Sequence, residues 1–89
     1  MAIYVTARHM VGGTKHEHIS EVKWENGTTK ETGKSSRAEM VDWIKKGGEA
    51  RVAKGQSYIA IKVVEASPPY IRTFADNLWT DNLLALPVY

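Results

Sequence analysis

The chain has 89 residues, 12 basic and 10 acidic, a net charge of +2 and no cysteine. This length predicts one domain, which buries only about two thirds of its unfolded surface and gains stability from a second copy. Disulfides and thiolate zinc sites are excluded, no apolar run approaches the ~20 residues that cross a bilayer, and a two-charge excess with Lys and Glu interspersed argues against a binder of extended nucleic acid.

The first residues, Met1 to Arg8, lack a basic segment followed by a long apolar region. A signal peptide is therefore not expected, and the expectation is a cytoplasmic protein with no membrane association. Residues 2–9 predict a first strand, with Ile3, Val5 and Ala7 on one face and Tyr4, Thr6 and Arg8 on the other. Val11 to Lys15 read as a Gly-rich loop. Residues 17–25 predict a strand that reaches Trp24. Asn26-Gly27 signals a tight type I′ hairpin, whose two central residues need positive φ. The return strand is expected at 28–32, with Gly33 and Lys34 leading out.

Ser36-Arg37-Ala38-Glu39 is a capping box. Met40, Val41, Trp43 and Ile44 follow at helical spacing, Lys45 and Lys46 suit the negative end of the helix dipole, and Gly47-Gly48 supplies a left-handed cap. A helix over about 37–46 is predicted, with Trp43 in the core. Residues 49–53 and 57–65 predict a hairpin around Lys54-Gly55-Gln56. In its second strand Ile59, Ile61 and Val63 alternate with Tyr58, Ala60, Lys62 and Val64. Pro68-Pro69 breaks the ladder. A strand at 70–74 turns near Asp76-Asn77 and returns through 78–80. Asp81 or Asn82 caps a final turn containing Leu83, Leu84 and Leu86, and Pro87 stops it.

The expected fold class is α+β: a mostly antiparallel sheet of about five or six short strands with one helix packed on one face. A single ten-residue helix leaves the other face uncovered. That face would carry Tyr4, Thr6, Arg8, Tyr58 and Lys62, joined by Tyr70 and Arg72. Such residues also form ordinary cross-strand pairs on a solvated sheet, so the partner-binding and solvated readings are weighed together.

Little in the chain suggests catalysis. His16-Glu17-His18 with His9 lacks a fixed third or fourth ligand and reads as surface histidines rather than a metal site. No serine sits in a nucleophile elbow. Asp76 and Asp81 fit turn and cap roles. Gly12-Gly13-Thr14-Lys15 lacks the spacing of a phosphate loop and no helix follows it. Arg72 has two readings: a planar fork for a phosphate or carboxylate, or an internal pair with Asp76 or Asp81.

Gly-Thr-Lys-His-Glu-His-Ile at 13–19, Ser-Arg-Ala-Glu-Met-Val-Asp-Trp-Ile at 36–44, Tyr-Ile-Arg-Thr at 70–73 and Asp-Asn-Leu-Leu-Ala-Leu-Pro at 81–87 carry a resemblance. Over nearly its whole length the chain resembles short bacterial and phage proteins known only as a domain of unknown function. That resemblance implies a compact cytosolic domain and brings no assigned activity.

The functional expectation is a non-catalytic binding module that captures a small anionic ligand, such as a nucleotide, at an oligomer interface, in the manner of a phage sequestering protein. Its candidate ligand set is Tyr4, Arg8, His18, Tyr58, Tyr70, Arg72 and Trp79, with no catalytic residue, metal ligand or cofactor. A homodimer is expected. The alternative is a protein-interaction module that buries the same face against a host or viral partner.

Overall fold

A computed structural model describes residues 2–54 and 56–89. Its strands are β1 (Ala2–Met10), β2 (Ile19–Asn26), β3 (Thr32–Ser36), β4 (Glu49–Lys54), β5 (Ser57–Val64), β6 (Tyr70–Ala75) and β7 (Leu78–Thr80), with one α-helix, α1 (Arg37–Lys45), between β3 and β4. They form one sheet in the order β3-β2-β1-β4-β5-β6-β7.

This corrects the expected fold class in three respects. The sheet has seven strands rather than five or six. It is mixed, because β1 and β4 run parallel through Ala2–Glu49, Ile3–Ala50 and Tyr4–Arg51. The helix is not a layer on one flat face: α1 touches β2 and β3 toward one edge and β5 and β6 toward the other. The sheet therefore curls around α1, as right-handed twist favours in a wide sheet. The parallel pair escaped local reading because its crossover runs through two strands and a helix, which no short periodicity encodes.

The turn chemistry is also redistributed. Asn26-Gly27 does not make a type I′ turn. The Asn26 side chain instead accepts hydrogen bonds from the Thr28 and Thr29 backbone N–H groups at 2.8 and 3.0 Å. The loop closes later, with Asn26 N–H donating to the Glu31 carbonyl at 2.7 Å and positive φ at Lys30. The return strand is thus 32–36 rather than 28–32. The tight hairpin lies at Asp76-Asn77, where both central residues have positive φ (52° and 64°), as type I′ geometry requires. The predicted strand at 17–25 begins only at Ile19, after a 3₁₀ turn at His16–His18. Of the predicted turn at 54–56, Gly55 lies outside the described residues.

The helix signals act as read. Ser36 Oγ accepts from Glu39 N–H at 3.1 Å, and the Glu39 carboxylate accepts from Ser36 N–H at 2.9 Å. Gly47 takes φ +98°, a left-handed position that favours glycine. Met40 and Val41 enter the core with Ile3, Val5, Ile19, Val22, Val52, Ile61 and Ile71.

The C-terminal segment completes the enclosure. Leu83 is fully buried. Beyond it the chain lies parallel to the end of β1: Arg8 N–H donates to the Pro87 carbonyl and Tyr89 N–H to the Arg8 carbonyl, both at 3.0 Å. The Tyr89 hydroxyl donates to Glu21 at 2.7 Å. Its pKa is pushed up to about 12, first by burial and then by that bond.

Candidate functional site

Alternation within each strand and pairing between strands fix which side chains share a face. Ile3, Val52, Ile59, Ile61 and Ile71 face the core, so their neighbours point outward. Tyr4 pairs with Arg51 across β1 and β4, and Tyr58 with Ala53 across β4 and β5. Lys62 pairs with Arg72 and Ala60 with Phe74 across β5 and β6. Phe74 pairs with Trp79 across β6 and β7. These pairings bring Tyr4, Arg51, Tyr58, Lys62, Arg72, Phe74 and Trp79 onto one outer face. Because the sheet curls around α1, this face is convex.

Cations and rings are seated on one another across it. Arg51 Cζ lies 4.0 Å from the Tyr58 ring centre, and Lys62 Nζ lies 4.7 Å from that of Phe74. Tyr4 meets Tyr58 edge-to-face with centroids 6.4 Å apart, and Phe74 meets Trp79 the same way at 5.0 Å. Tyr58 and Trp79 remain 48 % and 41 % exposed. Such contacts fix ring positions while leaving ring surface open to a partner.

The charges on this face are mostly paired. Arg51 bonds Glu49 at 2.9 Å and Arg72 bonds Asp81 at 2.9 Å. Arg51 is held charged, with its pKa pushed further up chiefly by the Tyr4 hydroxyl. Among the described residues, Lys62 has no ion-pair partner.

The predicted set divides three ways. Tyr4, Tyr58 and Trp79 lie on the outer face. Arg72 shares it, but its guanidinium is held internally, by Nε to the Thr80 carbonyl at 3.1 Å and Nη2 to Asp81. Arg8 leaves the face. A bulge at Thr6 shifts the register, so that Val5 pairs with Trp24, Ala7 with Lys23 and Arg8 with Val22. Val22 is fully buried, so Arg8 turns to the inner side, where its Nε donates to the Leu86 carbonyl at 3.0 Å. His18 and Tyr70 meet elsewhere, in a shallow groove of about 390 Å³ that Arg37 and Pro68 also line.

Arg51 and Phe74 were absent from the predicted set. Both follow from the same alternation: Arg51 sits between the inward Ala50 and Val52, and Phe74 continues the outward register of Arg72. His16 is a third omission, and its signal was misassigned. In a strand, residues 16 and 18 would point the same way. In a 3₁₀ turn of three residues per turn they diverge. His16 goes inside, 7 % exposed, while His18 bonds the loop through the Lys15 N–H at 3.2 Å. His16 Nε2 has no hydrogen-bond partner among the described residues and lies 3.8 Å from Asp81 Oδ1. Its pKa is lowered chiefly by burial and then by the Arg72 guanidinium, against an opposing pull from Asp81.

The histidines do not converge, and no group of three or more His, Asp or Glu among the described residues is placed to hold a metal ion. No described helix is long and apolar enough to cross a membrane. A family model described as "Protein of unknown function (DUF3892)" matches residues 3–87. No curated protein and no solved structure matches the chain.

Proposed function

The chain belongs to the DUF3892 family of proteins of unknown function, so its own surface has to supply a reading, and we propose that it is a non-catalytic module whose outer sheet face captures a small anionic ligand, a mono- or dinucleotide, between two copies of the chain. The observation that carries this is the exposure of Tyr58 and Trp79 on a face where Arg51 and Lys62 are already seated on rings. A base stacked on such a ring gains about 1–3 kcal/mol, and Lys62 supplies a charge that no internal carboxylate consumes.

The convexity of the face supports the dimer. Small ligands bind in concave sites, and a convex sheet covers only one side of a base. A second copy related by two-fold symmetry presents the same rings from the other side and closes the site. The small charge excess suits one or two phosphates rather than an extended strand, whose affinity comes from many phosphate contacts. A cytoplasmic setting in bacteria or phage and sequestration rather than turnover belong to the same reading. It also takes Tyr70–Thr73 with Asp81–Pro87 as the family's C-terminal mark, supported by the Arg72–Asp81 bond that ties the two segments together.

Calorimetry against mono-, di- and cyclic nucleotides tests the proposal. Saturable heat with at least one, abolished by Tyr58→Ala, is expected. Absence of heat with all of them at high micromolar concentration overturns it. A second reading, docking of a protein partner with Tyr4, Tyr58 and Trp79 as aromatic anchors, is favoured by Leu78, 67 % exposed beside Trp79. It predicts one stoichiometric protein partner, lost on Tyr58→Ala, and no nucleotide heat.

A further inference from the structure

A second site lies on the opposite side of the sheet, between α1 and the β2–β3 hairpin. There a cleft of about 540 Å³ opens, within the range of small-molecule sites, lined by Trp24, Met40, Trp43, Glu39, Asp42 and Lys46. Its two indoles come from different elements and each is backed by a glycine. Trp24 lies across from Gly33, where a β-carbon would come within 2.6 Å of the indole Cζ2. Trp43 folds onto Gly48, where a β-carbon would overlap the fused ring bond. Two positions without side chains thus let two indoles settle against backbone and frame one opening.

The chemistry of the lining selects a ligand class. The Trp24 N–H is spent on Ser35 Oγ at 3.0 Å, so its ring is what it offers the cleft. Met40, 2 % exposed, adds an apolar, polarisable wall. Two carboxylates and one ammonium stand at the rim. Lys46 Nζ pairs with Asp42 at 3.0 Å, and Glu39 accepts the Ser36 N–H and has no cation partner among the described residues. Its capping bond holds the Glu39 carboxyl below the usual carboxylate range. Indole faces attract cations through their quadrupole, and the carboxylate excess adds to that attraction. An anion meets the wrong sign. A wholly apolar occupant covers carboxylates without offering them a partner.

We infer that this cleft binds a small organic cation carrying a methylated ammonium, which sheds water more readily than a primary ammonium and fills a ring-walled site. The site is separate from the outer face, and its test does not depend on the nucleotide reading.

Choline and its neutral isostere 3,3-dimethylbutan-1-ol are the probes, read by NMR on the three tryptophan indole N–H resonances. Trp79, on the outer face, is the internal reference. Choline is expected to shift Trp24 and Trp43 saturably and leave Trp79 unmoved, binding about tenfold more tightly than the isostere, the scale of a desolvated cation–ring contact. Lys46→Ala, which removes a largely exposed cation from the rim, should tighten choline binding, and Asp42→Asn should weaken it. Trp43→Leu should abolish it; if that variant does not fold, the opposite responses of the two rim variants decide. Equal affinity for both probes, movement of Trp79 alone, or no shift at about 50 mM choline, a concentration at which two desolvated cation–ring contacts together fill the site, overturns the inference.

Discussion

The guanidinium of Arg51 rests 4.0 Å above the centre of the Tyr58 ring, and Tyr4 meets the same ring edge-on from β1, two strands away. Tyr58 is thereby held from two sides while nearly half its surface stays open to solvent. A ring positioned before a ligand arrives loses little freedom on binding.

Tyr58→Ala therefore separates binding from folding. At a half-exposed site, loss of its cation–ring and edge-to-face contacts costs on the order of 1 kcal/mol. The variant is expected to melt no more than about 4–8 °C below the parent, the shift per kcal/mol for a domain of this size, and to lose the calorimetric response. A larger fall in melting temperature would place Tyr58 among the structural residues.

Arg72 has the opposite character. Its guanidinium spans the Thr80 carbonyl and Asp81, a two-pronged arrangement that a lysine ammonium cannot copy. Arg72→Lys should lower stability by about 1–2 kcal/mol, the scale of a charge-assisted hydrogen bond, visible in thermal melts. An unchanged melt with weakened nucleotide binding would return Arg72 to the ligand set.

A third expectation concerns Gly48. Exposed Gly→Ala changes often stabilise by restricting the unfolded chain, but here the added methyl overlaps the Trp43 indole. Gly48→Ala should destabilise by about 1–3 kcal/mol, as overpacking does, and shift the Trp43 indole resonance. Stabilisation with an unmoved resonance would show that the indole has room to yield.

The fourth is a pH dependence. His16 has its pKa lowered from the usual 6.5, chiefly by burial. The unfolded chain takes up a proton at this residue before the folded one does, so stability rises with pH across that window. The contribution is complete above about pH 6.5, the unfolded value, and is lost as pH falls through the lower folded value. Melting temperature should drop between about pH 7.5 and pH 5, and His16→Gln should flatten the drop. An identical slope in the variant would assign the acid sensitivity to other groups.

These residues also mark what local sequence can and cannot disclose. The capping box at Ser36–Glu39 and the alternation of Ile59, Ile61 and Val63 with their polar neighbours were legible because each depends on residues within one turn or one strand. Tyr4, Tyr58 and Lys62 were placed on the open face by the same logic. Arg8 was not, because a bulge at Thr6 shifts the register and brings Arg8 opposite the buried Val22, and bulges follow from pairing across strands. The Asn26-Gly27 signal lost to a stronger local competitor, the Asn26 side chain capturing two backbone amides. β3 reads Thr-Gly-Lys-Ser-Ser, which carries little strand propensity. It is a strand because Trp24 covers Gly33 and bonds Ser35, a tertiary effect that overrides composition.

The tail beside β1 has a consequence for how the molecule is made. β1 is synthesised well before residues 87–89, yet beyond its pairing with β4 at residues 2–4 its second edge is met by those residues. During synthesis that half of β1 therefore waits as an open edge, the kind of surface that pairs with other chains. Contacts this distant along the chain are closed late and slowly. The nascent protein is most exposed to aggregation in the interval before residues 87–89 clear the exit tunnel, when a chaperone has the most to protect.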